Sequence, residues 1–353
     1  MNAPFASLSP VQAVADRPRL AFLGLGWIGR LRLSAMAENG LAEIAAVADP
    51  SPDALDEAKA LAPSAACGMS LEDLLGTEPD GLVIATPSAL HAEQAEQALR
   101  RGIAVFCQKP LARTAGEARR VVAAARDADR PLGVDYSYRH VDGVDAMRGL
   151  IRTGALGHIH AVELVFHNAY GPDKAWFRSL EQAGGGCLMD LGSHLLDLVL
   201  WCLPNVRVEE LRSRLFAGGR RLSPPPVCVE DFAALDLDLG GGTAVRLDCS
   251  WNLHAGCDVI IAARFYGTDG AAVLRNTGGS YYDFVVERLQ GTAREVLAKD
   301  QGTWGGRALA AWTRRLAAGE GYDAGEDPAL VPVLLDRAYG RNDPDGRPDP
   351  CAY

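Results

Sequence analysis

Short apolar runs alternate with helical stretches over the first third of the chain, from Pro18 to about residue 138. The runs predicted to be strands are RLAFLG, AEIAAVAD, DGLVIATP, IAVFCQKP and PLGVDYSYR. The stretches between them predict helices through Met36 and over residues 52–61, 89–100 and 114–126. Strands and helices in strict turn predict a parallel sheet with helices on both faces.

The pattern changes to hairpins from about Arg139. Residues 158–169, 229–252 and 258–276 combine strand-like runs with glycine-rich turns, which predicts a mostly antiparallel sheet. Residues 329–340 read as a last helix. The chain is thus divided into four parts. They are a flexible N-terminal tail (residues 1–17), an α/β domain (18–138), an α+β domain (139–341) and a C-terminal tail (342–353).

One apolar segment of the second domain carries regularly spaced polar residues. It is GGGCLMDLGSHLLD, residues 184–197, in which Asp190, His194 and Asp197 are spaced four and then three apart. This spacing places the three side chains on one stripe of a helix whose other faces are apolar. Because a buried carboxylate or imidazole is costly unless it is paired or hydrogen-bonded, we expect other groups to meet this stripe. The three glycines allow a close backbone approach before the helix begins.

Charge and composition exclude several classes of partner. The net charge of −10 and the pI near 5.2 leave no basic surplus for binding nucleic acid. The eight cysteines include no C-x-x-C pair, which predicts reduced thiols in the cytoplasm. Neither an export signal nor an apolar stretch of 18 residues is found, so no membrane contact is expected.

The first predicted strand is followed by a glycine-rich turn. In GLGWIG, Gly24, Gly26 and Gly29 form a G-x-G-x-x-G pattern between a strand and a helix. Asp49 ends the second strand twenty residues after Gly29, where an acid reaches a ribose 2′-hydroxyl. Together these features predict a dinucleotide site.

Asp49 also favours one dinucleotide over the other. Its carboxylate would repel a 2′-phosphate, and the PSPD that follows offers no Arg or Lys to receive one. The cofactor is therefore predicted to be NAD rather than NADP, although Arg30 or Arg32 of the first helix could still reach an adenosine phosphate.

Polar residues also follow two later strands, in ATPSALH and in CQKP. Ligands of open parallel sheets lie outside the carboxyl ends of the strands, so both segments are candidates for the site. The full set predicted to bind the cofactor is Gly24, Gly26, Trp27, Ile28, Gly29, Asp49, Thr86, Pro87, Ser88, His91, Gln108 and Lys109.

The motifs GLGWIG, ATPSALH, QKP and GGGCLMDLGSHLLD, in this order, resemble the glucose-fructose oxidoreductase, inositol dehydrogenase and rhizopine-catabolism family (Gfo/Idh/MocA) from about Pro18 to Tyr339. The resemblance implies an N-terminal Rossmann domain with a doubly wound parallel sheet. It implies a second α+β domain whose mostly antiparallel sheet is open on one face and is covered in a homodimer or homotetramer. Gln108 departs from the family, which usually has a glutamate there.

The resemblance also implies an activity: NAD(P)-dependent interconversion of a secondary alcohol and a ketone on a sugar, cyclitol or related polyol. Lys109, Asp190 and His194 are then the catalytic residues. With an ordinary pKa of about 6.5, His194 suits the proton transfer, so the rate should rise with pH as it loses its proton. Lys109 stabilises the alkoxide, and Asp190 binds a neighbouring hydroxyl or steers protonation. The predicted substrate-binding residues are Lys109, Tyr138, Arg139, His167, Trp176, Asp190 and His194.

Other readings of these residues stay open. A metal could be shared by Asp190, His194 and Asp197, but no H-E-x-x-H or Cys/His cluster supports one, so no metal is predicted and Asp197 is assigned to structure. The same scaffold could serve a redox-assisted glycosidase or lyase, or a sensor that binds a dinucleotide without turnover.

Overall fold

A computed structural model describes residues 17–203, 207–302 and 304–341. The two predicted tails lie outside these residues, apart from Arg17. None of the helices in this part of the chain is both long enough and apolar enough to cross a membrane.

The first half of the chain forms a six-stranded parallel sheet. Its strands are β1 (Arg19–Leu23), β2 (Glu43–Ala48), β3 (Ala66–Gly68), β4 (Gly81–Ile84), β5 (Ala104–Cys107) and β6 (Leu132–Val134). They lie in the order β3-β2-β1-β4-β5-β6, which is the order of a dinucleotide-binding Rossmann sheet. The helices are α1 (Trp27–Asn39), α2 (Pro52–Leu61), α3 (Leu71–Leu75), α4 (Ser88–Arg100) and α5 (Ala115–Asp127). The prediction of a doubly wound parallel sheet is confirmed.

The second half is built around a nine-stranded sheet. Its strands are β7 (Ile159–Asn168), β8 (Val208–Ala217), β9 (Arg220–Arg221), β10 (Phe232–Leu239), β11 (Thr243–Ser250), β12 (Val259–Gly267), β13 (Ala271–Asn276), β14 (Asp283–Gln290) and β15 (Ala293–Gln301). The order is β15-β14-β13-β12-β7-β11-β10-β8-β9, and every pair is antiparallel except β7 with β11. The prediction of a mostly antiparallel sheet is confirmed.

In the described part of the chain, helices cover one face of this sheet and the other face is open. The helices of this half are α6 (Val144–Arg152), α7 (Leu180–Ala183), α8 (Ser193–Cys202), α9 (Arg307–Ala317) and α10 (Leu330–Tyr339). Along β7, Val162, Leu164 and Phe166 point into the core under the helices, whereas Glu163 is exposed on the other face. The alternation follows from the two-residue period of a strand. It confirms the predicted open face.

Helix α9 belongs to the second half of the chain but packs against the first sheet. Its Trp312 lies 5.7 Å from the Phe106 ring, measured between centroids. A Cβ on Gly81 or Gly133 would come within 2.6 or 2.7 Å of the same indole. The two glycines therefore make room for Trp312, and α9 completes the core on one face of the parallel sheet.

Candidate active site

The three glycines of the first turn have three different surroundings. Gly24 has φ +88°, a conformation that glycine adopts without strain. A Cβ on Gly29 would lie 2.0 Å from the Gly24 carbonyl oxygen, so this glycine permits the close packing of α1 on β1. A Cβ on Gly26 would meet no atom within 4 Å, which leaves open space beside the turn. This is the division of roles that a dinucleotide-binding turn requires.

The N-terminus of α1 opens onto that space. Gly26 caps the helix without a side-chain hydrogen bond, so backbone N–H groups of the first turn are free for an anion. Trp27 beside them is 60% exposed. The Asp49 carboxylate accepts hydrogen bonds from the N–H of Leu25 at 2.7 Å and of Ser51 at 2.9 Å, which fixes it at the carboxyl end of β2. These residues fit a pyrophosphate at the turn and a ribose at Asp49.

Both arginines of α1 are engaged within the protein. Arg30 donates to the Leu25 carbonyl at 2.7 Å and pairs with Glu57 at 2.8 Å. Arg32 is buried and pairs with Asp135. Neither guanidinium is therefore free to receive an adenosine phosphate in this structure.

Lys109 and Asp190 form the centre of the candidate site. Lys109 follows β5, and the peptide bond between it and Pro110 is cis. Its Nζ donates to Oδ1 of Asp190 and to the Asp190 carbonyl, both at 2.7 Å. The indole Nε1 of Trp251 donates to Oδ2 of Asp190 at 3.1 Å. Each carboxylate oxygen thus has its own donor, which fixes the carboxylate beside the lysine.

The segment carrying Asp190 is not one continuous α-helix. Residues Leu188–Gly192 form a π-helical turn, and the α-helix begins at Ser193. π-helical turns occur often at functional sites. The three polar residues, which the sequence placed on one stripe, have separate partners: Lys109 meets Asp190, aromatic rings surround His194, and Arg139 pairs with Asp197.

A buried glutamate caps the start of this segment. The Glu230 carboxylate accepts hydrogen bonds from the N–H of Gly186 at 2.9 Å and of Leu188 at 2.8 Å, and from the hydroxyl of Tyr339 at 2.9 Å. A Cβ on Gly185 would lie 2.1 Å from that hydroxyl, and one on Gly186 would lie 1.9 Å from the Glu230 carbonyl oxygen. The close backbone approach expected at these glycines is confirmed, and its partners are Tyr339 and Glu230.

His194 is enclosed by aromatic side chains. Tyr138 packs edge-on to its ring at 4.9 Å between centroids, and Phe166 lies at 6.5 Å. Burial lowers the pKa of His194 well below its usual 6.5, and the charges of Lys109 and Arg32 lower it further. Burial therefore favours the neutral imidazole, and we expect any titration of His194 at lower pH than the ordinary value of 6.5 predicts.

The residues predicted after the fourth strand are partly used by the protein itself. Both ring nitrogens of His91 lie 2.8 Å from backbone carbonyl oxygens, those of Pro110 and Thr86, and the side chain is buried. His91 thus joins two strand-end loops and leaves no nitrogen free for a cofactor. The Thr86 hydroxyl donates to Gln94 at 2.6 Å. Pro87 caps α4, and Ser88, its first residue, is buried.

Tyr138 and Arg139 do not end a strand, as predicted, but lie in a 3₁₀-helix at Ser137–His140. Arg139 binds both oxygens of Asp197, at 2.8 and 2.6 Å, and also contacts Glu326 at 2.9 Å. Burial raises the pKa of Asp197 to about 6, against the effect of Arg139. Arg139 therefore neutralises a buried carboxylate of α8 rather than projecting toward Lys109.

His167 and Trp176 lie in different places. His167 shares the open face of the sheet with Glu163, because it is one residue from Phe166 on β7. There it contacts the Ser250 hydroxyl at 2.8 Å, and the structure does not bring it to His194. Trp176 stacks on Phe177 at 3.8 Å, and Phe177 packs edge-on to Trp251 at 6.3 Å. The Trp176 loop therefore borders the site.

Two residues of this site were missed from sequence: Trp251, which orients Asp190, and Glu230, which caps its segment. Trp251 directly follows β11, so its place at a strand end was the available signal. Glu230 had none, because an acidic residue in a loop is ordinarily solvated. In the described ranges no three His, Cys, Asp or Glu side chains are grouped as metal ligands.

Two family models match most of the chain. The model described as an oxidoreductase family with an NAD-binding Rossmann fold matches residues 19–136, and the GFO/IDH/MocA C-terminal domain matches residues 144–273. The rhizopine catabolism protein MocA of Rhizobium meliloti is 32% identical over 92% of this chain and 99% of its own length.

The chain belongs to the GFO/IDH/MocA family. As a member it is an oxidoreductase with an NAD-binding Rossmann fold. The D-glucoside 3-dehydrogenase of Escherichia coli is 27% identical over 72% of this chain and 76% of its own length.

Solved structures share the family fold. Levoglucosan dehydrogenase in complex with NADH and levoglucosan has a TM-score of 0.77 at 21% identity, over 92% of this chain and 97% of that one. The 3-ketoreductase KijD10 from Actinomadura kijaniata, in complex with NADP, has a TM-score of 0.75 at 18% identity, over 91% and 97%. At these identities the likeness concerns the fold, and one of these two structures holds NADH and the other NADP.

Proposed function

We propose that this protein transfers a hydride between NAD and a secondary alcohol carbon of a sugar, cyclitol or related polyol. The observation that carries the proposal is the Lys109–Asp190 pair, joined at 2.7 Å beside His194 and at the carboxyl edge of the sheet that holds the dinucleotide turn. An alcohol bound here would face the Lys109 ammonium, the Asp190 carboxylate and the His194 imidazole.

Each of the three side chains has a part in the oxidation. Bound NAD would accept the hydride at C4 of its nicotinamide. His194 removes the hydroxyl proton, and Nε2 is the atom assigned to this step because Nδ1 is buried. Lys109 stabilises the developing alkoxide through Nζ. Asp190 accepts a hydrogen bond from a neighbouring substrate hydroxyl while it holds Lys109 in place.

Sugar and polyol substrates are supported by the surroundings and by relatives. The stacked Trp176 and Phe177 offer aromatic surface next to the polar Lys109 and Asp190, a combination typical of small-molecule sites. Among relatives, the names inositol 2-dehydrogenase and D-glucoside 3-dehydrogenase state action on a cyclitol and on a glycoside. The exact substrate is therefore sought among free polyols, aldoses and sugar acids.

The deciding assay supplies purified protein with NAD and either free polyols or aryl glycosides. Reduced cofactor formed in proportion to ketone, followed by absorbance, is the expected result. Release of aglycone without net reduced cofactor would instead establish a redox-assisted glycosidase or lyase. Binding of NAD with neither signal across a broad panel would favour the sensor.

Preference for NAD over NADP is attributed to Asp49. A hydrogen bond to a charged acceptor contributes about 1.5–3 kcal/mol. Asp49→Ser is therefore expected to weaken NAD binding by roughly ten- to hundredfold and to narrow the gap to NADP, because repulsion of the 2′-phosphate is lost as well. Titration of both cofactors measures the change. Asp53→Ser, at the exposed start of α2, is the matched control. Tighter binding of NADP by the wild type would contradict the assignment.

The open face of the second sheet supports self-association. Across neighbouring strands the charges alternate in one row, which is Arg212, Asp236, Arg246, Glu163 and Arg264. A row of alternating sign can pair with a copy of itself, as an isologous interface requires. We propose that a second copy of the chain covers this face.

Reversal of one charge in the middle of the row tests this dimer. Arg246→Glu interrupts the alternation of charge between Asp236 and Glu163, so the row no longer complements its copy and the dimer is expected to weaken by at least about tenfold. Sedimentation equilibrium measures the dissociation constant, with Lys59→Glu on exposed α2 as the control. A wild-type protein that sediments as a monomer at micromolar concentration would contradict the proposal.

A cytoplasmic location is also proposed. The seven cysteines of the described ranges are all free thiols, and Cys107, Cys187, Cys202 and Cys249 are buried. Unpaired thiols suit a reducing compartment.

A further inference from the structure

A buried polar network lies directly behind Lys109. It joins Arg32 of α1, Gln108 after β5, and Asp135 and Ser137 after β6, all of which are 8% exposed or less. Arg32 Nε donates to Asp135 Oδ2 at 2.5 Å, and the Ser137 hydroxyl donates to Oδ1 at 2.6 Å. The Gln108 amide nitrogen also donates to Oδ2. Arg32 Nη2 completes the ring by donating to the Ser137 hydroxyl at 3.0 Å.

This arrangement requires an amide at position 108. The Asp135 carboxylate accepts from three donors, and Gln108 supplies one of them. An ionised glutamate has no hydrogen to donate. It would also add a second buried negative charge to a network that contains one cation, Arg32. Two carboxylates at hydrogen-bond distance repel each other, so keeping both ionised costs free energy. Gln108 thus supplies the third donor to Asp135 without adding a charge to the network.

The network also fixes the backbone of the candidate site. Gln108 N–H donates to the Ile84 carbonyl at 2.8 Å, and Lys109 is the next residue. Asp135 N–H donates to the Cys107 carbonyl at 2.9 Å. Ser137 precedes Tyr138, whose ring packs edge-on to His194. The same four side chains therefore hold the strand end that carries Lys109 and the turn that carries the aromatic wall of His194.

We infer that Gln108 and Asp135 are a matched pair of positioning residues that set the location of Lys109 for hydride transfer, with the charge of the pair on Asp135. The inference rests on the proposed function for its catalytic consequence. Gln108 is therefore not a harmless replacement for the glutamate that the family usually has. Introducing that glutamate should lower both the stability and the activity of this protein. An amide and a carboxylate are needed across this contact, and two carboxylates are excluded.

The first test is Gln108→Glu, compared with wild type from pH 5 to pH 8. In the folded variant, one of the two neighbouring carboxyl groups must stay protonated. In the unfolded chain, the introduced glutamate loses its proton near its ordinary pKa of about 4.3. The folded state then holds more protons, so the melting temperature of the variant should fall increasingly below that of wild type as pH rises. At pH 5 the introduced carboxyl group, when protonated, can donate to Asp135 as the amide does, and the difference should be smallest.

Other titratable groups face Asp135 but are common to both proteins. They are the Cys107 thiol, whose pKa is raised by burial, and His140, whose pKa is lowered by burial. The difference between variant and wild type therefore isolates the carboxyl at position 108. Gln290→Glu, at the exposed end of β14, is the control and should show no such trend.

Activity gives the second readout. The kcat of Gln108→Glu relative to wild type should fall by about tenfold or more at pH 8 and recover toward pH 6. Gln108 is predicted from sequence to bind the cofactor, but its buried amide is directed at Asp135, so the Kd for NAD should change little. The swapped double variant Gln108→Glu/Asp135→Asn restores one amide and one carboxylate, and it should regain both kcat and a melting temperature without the extra pH dependence.

The outcomes separate the network from the proposed function. A Gln108→Glu variant equal to wild type at pH 8 in melting temperature would overturn the inference, as would a swapped variant no better than the single one. If wild type oxidises no polyol, the proposed function fails, yet the melting temperatures still decide whether Gln108 and Asp135 are matched.

Discussion

Lys109→Ala is expected to lower kcat by at least about 10²-fold, the size found when one group that stabilises developing charge is removed. The ammonium is the only cation in contact with Asp190 among the described residues, and Asp190 is held by it at 2.7 Å. Its loss removes the charge that faces the alkoxide and frees the carboxylate to turn. The Kd for NAD should change little, because the turn proposed to bind the pyrophosphate precedes α1 and Asp49, proposed to bind the ribose, follows β2.

Two further variants make this result specific. Lys174→Ala removes an exposed lysine from the loop that carries Trp176 and should leave kcat unchanged. Asp190→Asn should also lower kcat, and the double variant with Lys109→Ala should lose less than the product of the two single losses, since the side chains act as a pair. Single-turnover kinetics with saturating NAD measure each step. Near-normal turnover of Lys109→Ala would contradict the catalytic assignment.

The first sheet could be predicted from sequence because its strands are buried on both faces. Each one is a continuous apolar run such as the AVFC of β5, and such runs stand out against the helices between them. The exception is β3, three residues that are half-buried or exposed at the edge. An edge strand has one neighbour and is less buried, so its sequence is less apolar and harder to recognise as a strand.

The second sheet was only partly predictable, since its outer strands carry charge on the open face. In β8, VEELRSRLFA, and β15, AREVLAKDQ, charged residues dilute the alternation that marked β10 and β11. The packing of α9 on the first sheet depends on Trp312 meeting Gly81 and Gly133, more than 170 residues away in the chain. The local pattern of apolar and polar residues cannot predict a contact between residues so far apart in the chain.

The site shows the same division. Strand-end position predicted Lys109, and helical spacing predicted that Asp190 and His194 need partners. The identity of those partners was not predictable, because Trp251 comes from another sheet and the aromatic rings around His194 come from two separate segments. His167 was misplaced because neighbouring residues of a strand point to opposite faces of the sheet. Phe166 packs on Tyr138, whereas His167, the next residue, lies on the open face.

Glu230 should prove the most important single side chain for the stability of the site. Glu230→Ala would leave the N–H groups of Gly186 and Leu188 and the Tyr339 hydroxyl without an acceptor in a fully buried position. Leaving one buried donor without an acceptor costs about 1–3 kcal/mol, so the loss of three such contacts should cost at least about 3 kcal/mol. We expect a loss of that size in the free energy of unfolding, measured by urea denaturation with an unchanged slope.

The isosteric variant distinguishes this cap from simple loss of volume. Glu230→Gln fills the same space but turns an NH₂ group toward the Gly186 N–H, so it should lose about 1–3 kcal/mol by leaving buried donors unpaired. Glu295→Ala, exposed on β15, should change the free energy of unfolding by less than about 0.5 kcal/mol. A Glu230→Ala protein as stable as Glu295→Ala would contradict the cap. Asp190 lies on the helical turn that follows the residues capped by Glu230. Glu230→Ala should therefore lower kcat by more than the fraction of unfolded protein explains. Assays with saturating NAD, which stabilises the folded protein, would measure this loss.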